Sequence, residues 1–133
     1  MERPLELMRD ARTIAVVGVS TQRDRPANEV AEYLIEHGYE VYLVNETEAG
    51  EMLFGRTIQS SVASIGQTID IVDIFRRPAD VPPHVEDAIA AGARAVWMQL
   101  GIVNEEAAAR ARVAGLEVVM DRCTKIDHGR LPA

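Results

Sequence analysis

Apolar residues along this chain fall into short runs, separated by stretches with helical spacing. The runs cover residues 13–19, 40–44, 70–75, 95–100 and 117–120. After the longer lead run, each is a brief block rich in Val, Ile, Leu or Ala, as expected of strands covered on both faces of a parallel sheet. Between the first two, residues 27–37 place Val30, Ala31, Leu34 and Ile35 on one helical face, and Gly38 ends the helix. Pro82 and Pro83 suit a first helical turn, and Val85, Ala88 and Ile89 carry that helix to Gly92. Asn104 is a good N-cap, Glu105 and Glu106 favour the positive end of the helix dipole, and Gly115 closes the segment. Residues 5–12 predict an extra short helix docked on the sheet. The stretch between Val44 and Asp70 is irregular, with Gly50, Gly55, Gly66 and a run of serines. It predicts a short strand or turn near 55–58 and a one- or two-turn helix near 61–65.

Strands alternating with helices make this an α/β chain, a doubly wound, mostly parallel five-stranded sheet with helices on both faces. Ligands of such sheets bind outside the carboxyl ends of the strands, where the winding reverses. The residues expected there are 18–28, Asn45 and Glu46, 75–78, 99–103 and 121–123. With 133 residues the chain predicts one domain over 1–133.

The lead run ends in Gly18, and the loop after it breaks the usual dinucleotide fingerprint. The second and third glycines of GxGxxG are absent. Val19, Ser20, Thr21, Gln22, Arg23, Asp24 and Arg25 stand between Gly18 and the helix that opens near Pro26. The hydroxyls of Ser20 and Thr21 and the amide of Asn28 are candidates to hydrogen-bond phosphate oxygens, with Arg23 and Arg25 supplying charge beside a helix N-terminus. That set predicts a nucleotide carrying more phosphate than NAD. Asn45 stands where NAD-binding domains place an acid against the ribose, and its neutral amide tolerates a nearby phosphate. Glu46 keeps an NAD-like reading open. Phe75-Arg76-Arg77-Pro78 ends the third main strand in two guanidiniums, suited to phosphate forks or to stacking on adenine. Alternation along a strand predicts that one of the two arginines points into the cleft.

Charge and remaining chemistry narrow the class. A formal charge of −7 disfavours nucleic acid or an anionic membrane as the main partner. The single cysteine, Cys123, fits a reducing cytoplasm, and no apolar run is long enough to span a membrane. Cys123 follows an apolar Val-Val-Met stretch, which favours a buried thiol. Asp70 and Asp73 resemble paired carboxylates expected on one face of a strand, without a further cluster to complete a metal site, so no metal is expected. His37 and His84 fall at helix ends and neither suggests catalysis.

Several segments together carry a resemblance. They are Ala-Val-Val-Gly-Val-Ser with Arg25-Pro26-Ala27, Gly38-Tyr39-Glu40-Val41 leading to Val44-Asn45, and the run from Asp70 through Phe75-Arg76-Arg77-Pro78. Val96-Trp97-Met98-Gln99-Leu100-Gly101 and Val119-Met120-Asp121-Arg122-Cys123 complete the set. Over about residues 5–131 the chain resembles the small single-domain CoA-binding proteins and the CoA-binding domain of succinyl-CoA synthetase alpha subunits. The resemblance implies a Rossmann-like fold and binding of coenzyme A, free or acylated, with no catalysis of its own. It also implies that Gly18, Val19, Ser20 and Thr21, with Arg25, Pro26 and Asn28, surround the pyrophosphate. Asn45 would sit by the ribose, and Phe75, Arg76 and Arg77 would line the adenine and phosphate side. Glu46 departs from the family's usual Asn-Pro and sets an acid beside the 3′-phosphate position. The phosphohistidine domain of the synthetases is absent from the sequence. Two other readings stand beside it: an NAD(P)- or other nucleotide-dependent enzyme using Gln99, Asp121 or Cys123, and a redox module in which Cys123 forms a mixed disulfide with the CoA thiol.

Overall fold

A computed structural model describes residues 1–22 and 24–132. Five parallel strands form the main sheet: β1 (Thr13–Val17), β2 (Glu40–Val44), β5 (Ile71–Ile74), β6 (Ala95–Met98) and β7 (Glu117–Val119). A two-stranded antiparallel hairpin, β3 (Met52–Leu53) and β4 (Arg56–Thr57), stands apart in the irregular crossover. The main order is β2-β1-β5-β6-β7. From β1 the chain winds outward to β2 on one side, then returns to place β5 on the other. The winding therefore reverses between β1 and β5, and a crevice opens at their carboxyl ends. This is the doubly wound architecture expected from the apolar runs, and it is Rossmann-like, as the resemblance implies.

Helices cover both faces. On one lie α1 (Arg3–Asp10), α2 (Pro26–Glu36) and α5 (Thr124–Gly129); on the other lie α3 (Pro82–Ala90) and α4 (Glu105–Val113). Strand alternation divides the core accordingly. Ile14, Val16, Ile71 and Trp97 meet Met8, Val30, Ala31 and Leu34, whereas Ala15, Val17, Val72 and Val96 meet Val85, Ala88, Ala108 and Ala111. Alanines dominate the inward side of α4, so that helix packs close to the sheet. Asn104 caps it as expected, its side chain accepting from the Ala107 N–H at 2.9 Å.

Most strands end one or two residues sooner than the apolar runs, and of the residues trimmed away Gly18, Phe75, Gln99 and Leu100 border the crevice. One short helix, α5, has no counterpart in the expected pattern. A further correction concerns the two aspartates. Residues three apart in a strand face opposite ways, and the pair is separated. Asp70 accepts the backbone N–H groups of Arg12 (2.8 Å) and Thr13 (3.2 Å) at the amino end of the sheet. Asp73 is fully buried on the α5 side, where the Thr124 hydroxyl donates to it at 2.7 Å. No helix among the described residues is long and apolar enough to cross a membrane.

Candidate functional site at the switch point

The crevice is organised around one close approach. Gly18 directly follows β1 with φ +109°, and a Cβ there would collide with the Phe75 carbonyl oxygen. Only glycine combines that backbone angle with so near a neighbour. The Gly18 N–H donates to the Val44 carbonyl (3.0 Å) and the Phe75 N–H to the Val17 carbonyl (2.9 Å), so the ends of three strands are tied together beneath the cleft.

Above this junction lie two adjoining hollows that share Gly18, Arg25, Phe75, Arg76 and Arg77. The first, about 720 Å³, runs past Pro26 and Gln99 to Leu100, Cys123, Lys125 and Ile126. The second, about 620 Å³, runs past Ser20 and Asn45 to Glu46, Glu48, Asp80 and His84. Each falls within the ~300–1,000 Å³ typical of cofactor sites.

Cationic groups are concentrated where the hollows meet. Arg25 precedes Pro26, the first residue of α2, so its charge adds to the positive end of that helix dipole. Arg76 and Arg77 both line both hollows, which corrects the expectation of one in and one out. The reason is that β5 stops at Ile74, so strand alternation no longer governs them. Arg77 is the more exposed and pairs with Asp80 at 3.1 Å; Arg76 is half-buried. His84 faces the same groove. Burial, and then the charge of Arg76, lower its pKa, against the opposing pull of Asp87, Glu46 and Asp80.

The loop side chains hold the loop. Asn28 is 1% exposed; it accepts the Ser20 N–H at 3.0 Å and donates to the carbonyls of Ser20 (2.6 Å) and Gln22 (2.8 Å). Ser20 Oγ accepts the Gln22 N–H at 3.1 Å. Thr21 donates through both its N–H (2.9 Å) and hydroxyl (2.7 Å) to Glu48, and these bonds hold the Glu48 pKa below the usual carboxylate value. Asn45 donates to the Val19 carbonyl (2.7 Å) and accepts the Thr47 N–H (3.0 Å). The Val19 side chain is fully buried. Of the expected site residues, then, Gly18, Ser20, Arg25, Pro26, Asn45, Phe75, Arg76 and Arg77 line the hollows, whereas Val19, Thr21 and Asn28 do not: Val19 and Asn28 are buried beneath the loop and the exposed Thr21 is bonded to Glu48. Arg23 lies outside the described residues.

Cys123 also departs from expectation. It is half-buried on the wall of the larger hollow, because Asp121 adopts φ +58° and turns the chain off the sheet after β7. The Asp121 carboxylate accepts the Gly101 N–H at 2.6 Å and fixes that turn. Lys125, Ile126, Glu48 and His84 were not singled out for the site from sequence, since nothing in their local pattern distinguishes them from ordinary surface residues.

The sequence profile of the CoA binding domain matches residues 12–129. The chain belongs to the CoA-binding domain family. It is 37% identical over 123 residues to the Bacillus subtilis (strain 168) protein YneT, covering 92% of this chain and 90% of that protein. Among solved structures, a hypothetical protein from Pyrococcus horikoshii OT3 superposes with a TM-score of 0.89 at 41% identity, covering 96% of this chain and 89% of that one. The structure of cell-free ID.343 from Thermus thermophilus gives 0.88 at 38% identity, covering 94% and 93%. Family membership suggests binding of CoA.

Proposed function

We propose that this CoA-binding-family protein binds coenzyme A, free or acylated, as a single cytoplasmic domain over residues 1–133, without catalysing a reaction itself. The observation that carries the reading is the convergence of Arg25, Arg76 and Arg77 on the junction of two hollows at the switch point of a family member. Three guanidiniums around one junction suit a ligand with a pyrophosphate and a further phosphate. The phosphates lie over Gly18 and the N-terminus of α2, and the 3′-phosphate is met by Arg76 or Arg77. The loop network of Ser20, Thr21, Asn28 and Asn45 positions that surface. Among the described residues lining the hollows, His84 is the one imidazole, and no base–nucleophile pair is formed around it.

Calorimetry with CoA, dephospho-CoA and NAD tests the assignment. CoA is expected to bind about ten- to a hundred-fold more tightly than dephospho-CoA, the worth of one charge-assisted contact of roughly 1.5–3 kcal/mol. Equal affinities would refute the placement of the 3′-phosphate. Native mass spectrometry of the purified protein should show a CoA-sized adduct.

The cleft-wall position of Cys123 favours a second reading, a mixed disulfide with CoA. In that exchange the Cys123 thiolate attacks a CoA disulfide, forms the new S–S bond and releases CoA thiolate. Mass spectrometry separates the two readings, because only the disulfide adduct survives denaturation and leaves on reduction.

A further inference from the structure

The two hollows differ in what they offer a ligand. The smaller is lined by charged and amide groups, among them Glu46, Glu48, Asp80 and His84. The larger leaves the shared arginines behind and presents mostly carbon: Phe75, Pro78, Leu100, Ile102 and Ile126. Leu100 is 61% exposed and Ile126 is 55% exposed, and they come from different parts of the chain, the turn after β6 and the outer side of α5. Single exposed apolar residues are ordinary. Two that approach one cleft from separate parts of the chain form an apolar rim. The charge on that wall is internally matched, since Lys125 pairs with Glu29 at 3.0 Å. Gln99 lines the same hollow; it is 5% exposed, and its Oε1 is buried without a hydrogen-bond partner. An unpartnered acceptor in an apolar channel suits a ligand arm carrying amide N–H donors, as a pantetheine arm does.

We propose that the larger hollow holds the pantetheine arm and, beyond it, the hydrocarbon chain of an acyl-CoA thioester, so that the protein prefers acyl-CoA with an apolar acyl group over free CoA. This rests on the CoA reading above and extends it from the nucleotide end to the thioester end. The arm leaves the junction at Gly18 and Phe75, passes Gln99, and delivers the acyl chain between Leu100 and Ile126. Each methylene that becomes fully buried is worth about fourfold in affinity. A cleft open along one side captures part of that, so at least about tenfold is expected between acetyl-CoA and octanoyl-CoA.

Calorimetry on the whole protein with CoA, acetyl-CoA, butyryl-CoA and octanoyl-CoA supplies the test. Affinity should rise along the series, and Leu100→Ser and Ile126→Ser should each shrink the octanoyl-CoA to CoA ratio by about threefold or more. Both side chains are largely in solvent, and a thermal melt confirms that the variants fold. If CoA binds while octanoyl-CoA binds no more tightly, the acyl assignment is overturned and the CoA reading stands. A chain-length gain that survives the Leu100→Ser/Ile126→Ser double variant places the chain elsewhere and equally overturns it. Failure of every ligand to bind overturns the CoA reading itself, and the acyl proposal with it.

Discussion

Replacing Asp73 by Asn should change how the stability of this protein depends on pH. Asp73 sits in β5 between β1 and β6, with no exposed surface. Its Oδ2 accepts the Thr124 hydroxyl at 2.7 Å, and its Oδ1 is buried without a partner. Burial raises its pKa from 3.8 to about 7, with the Thr124 hydrogen bond pulling weakly the other way. The native state therefore keeps this proton over a range in which the unfolded chain has released it. The associated stability is complete below about pH 4, declines as pH rises, and is lost once pH passes about 7. Roughly three decades in proton affinity, at about 1.4 kcal/mol each, give on the order of 4 kcal/mol, a large part of an ordinary domain's 5–15 kcal/mol. Asn keeps the volume and an acceptor for Thr124 but cannot ionise. Its unpaired amide costs about 1–3 kcal/mol, equally at every pH, so it displaces the curve without bending it. Urea unfolding of both proteins from pH 4 to pH 8 provides the measurement. The wild type should lose on the order of 4 kcal/mol relative to the variant across that range. Parallel curves would refute the reasoning, because they would mean that Asp73 titrates alike in the native and unfolded states.

Gly18→Ala should cost about 2–4 kcal/mol, from left-handed strain and displacement of the Phe75 carbonyl, and should abolish CoA binding; an unchanged melting temperature would refute the close approach. The wild type should gain more CoA affinity than His84→Gln as pH falls below the ordinary imidazole value of 6.5, because protonated His84 adds a positive charge to the groove beside Arg76; identical calorimetric pH profiles would remove His84 from the site. A thiol reagent should label Cys123 in the folded protein and should do so more slowly with CoA bound, and a rate indifferent to CoA would place the arm away from that wall.

The sheet was legible because burial on both faces leaves an unmistakable mark: near-continuous aliphatic runs ending in glycine or polar turns. α5 left no such mark. Within Thr-Lys-Ile-Asp-His-Gly the one large apolar residue, Ile126, points to solvent. The helix is held instead by polar links, Thr124 to Asp73 and Arg122 to Asp127 (2.8 Å), and by His128 against Tyr33 (2.7 Å). Hydrophobic periodicity does not register a helix docked in this way. Cys123 was misjudged for a related reason. The Val-Val-Met run implies that the strand continues, and only the positive φ of Asp121 shows the chain leaving the sheet before the thiol is reached.

The phosphate loop shows where residue type stops being informative. Ser, Thr and Asn after a first strand fit phosphate ligands and fit a self-bonded turn equally well, since the same donors and acceptors serve both. Here Asn28 has its carbonyl and amide engaged within the loop, and Thr21 is committed to Glu48. Residues 20–22, held by these bonds, need no ligand to order them, so little of their conformational entropy remains to be lost on binding. The cost of that rigidity is chemical: the hydroxyl of Thr21 faces a carboxylate whose lowered pKa keeps it ionised beside the groove. An anionic ligand must meet Glu46, Glu48 and Asp80 there as well as the arginines. Attraction therefore has to come from Arg25, Arg76 and Arg77 at the junction, where both hollows share them. On the proposed reading, that arrangement would draw the phosphates of CoA to the junction and leave the apolar hollow to its uncharged arm.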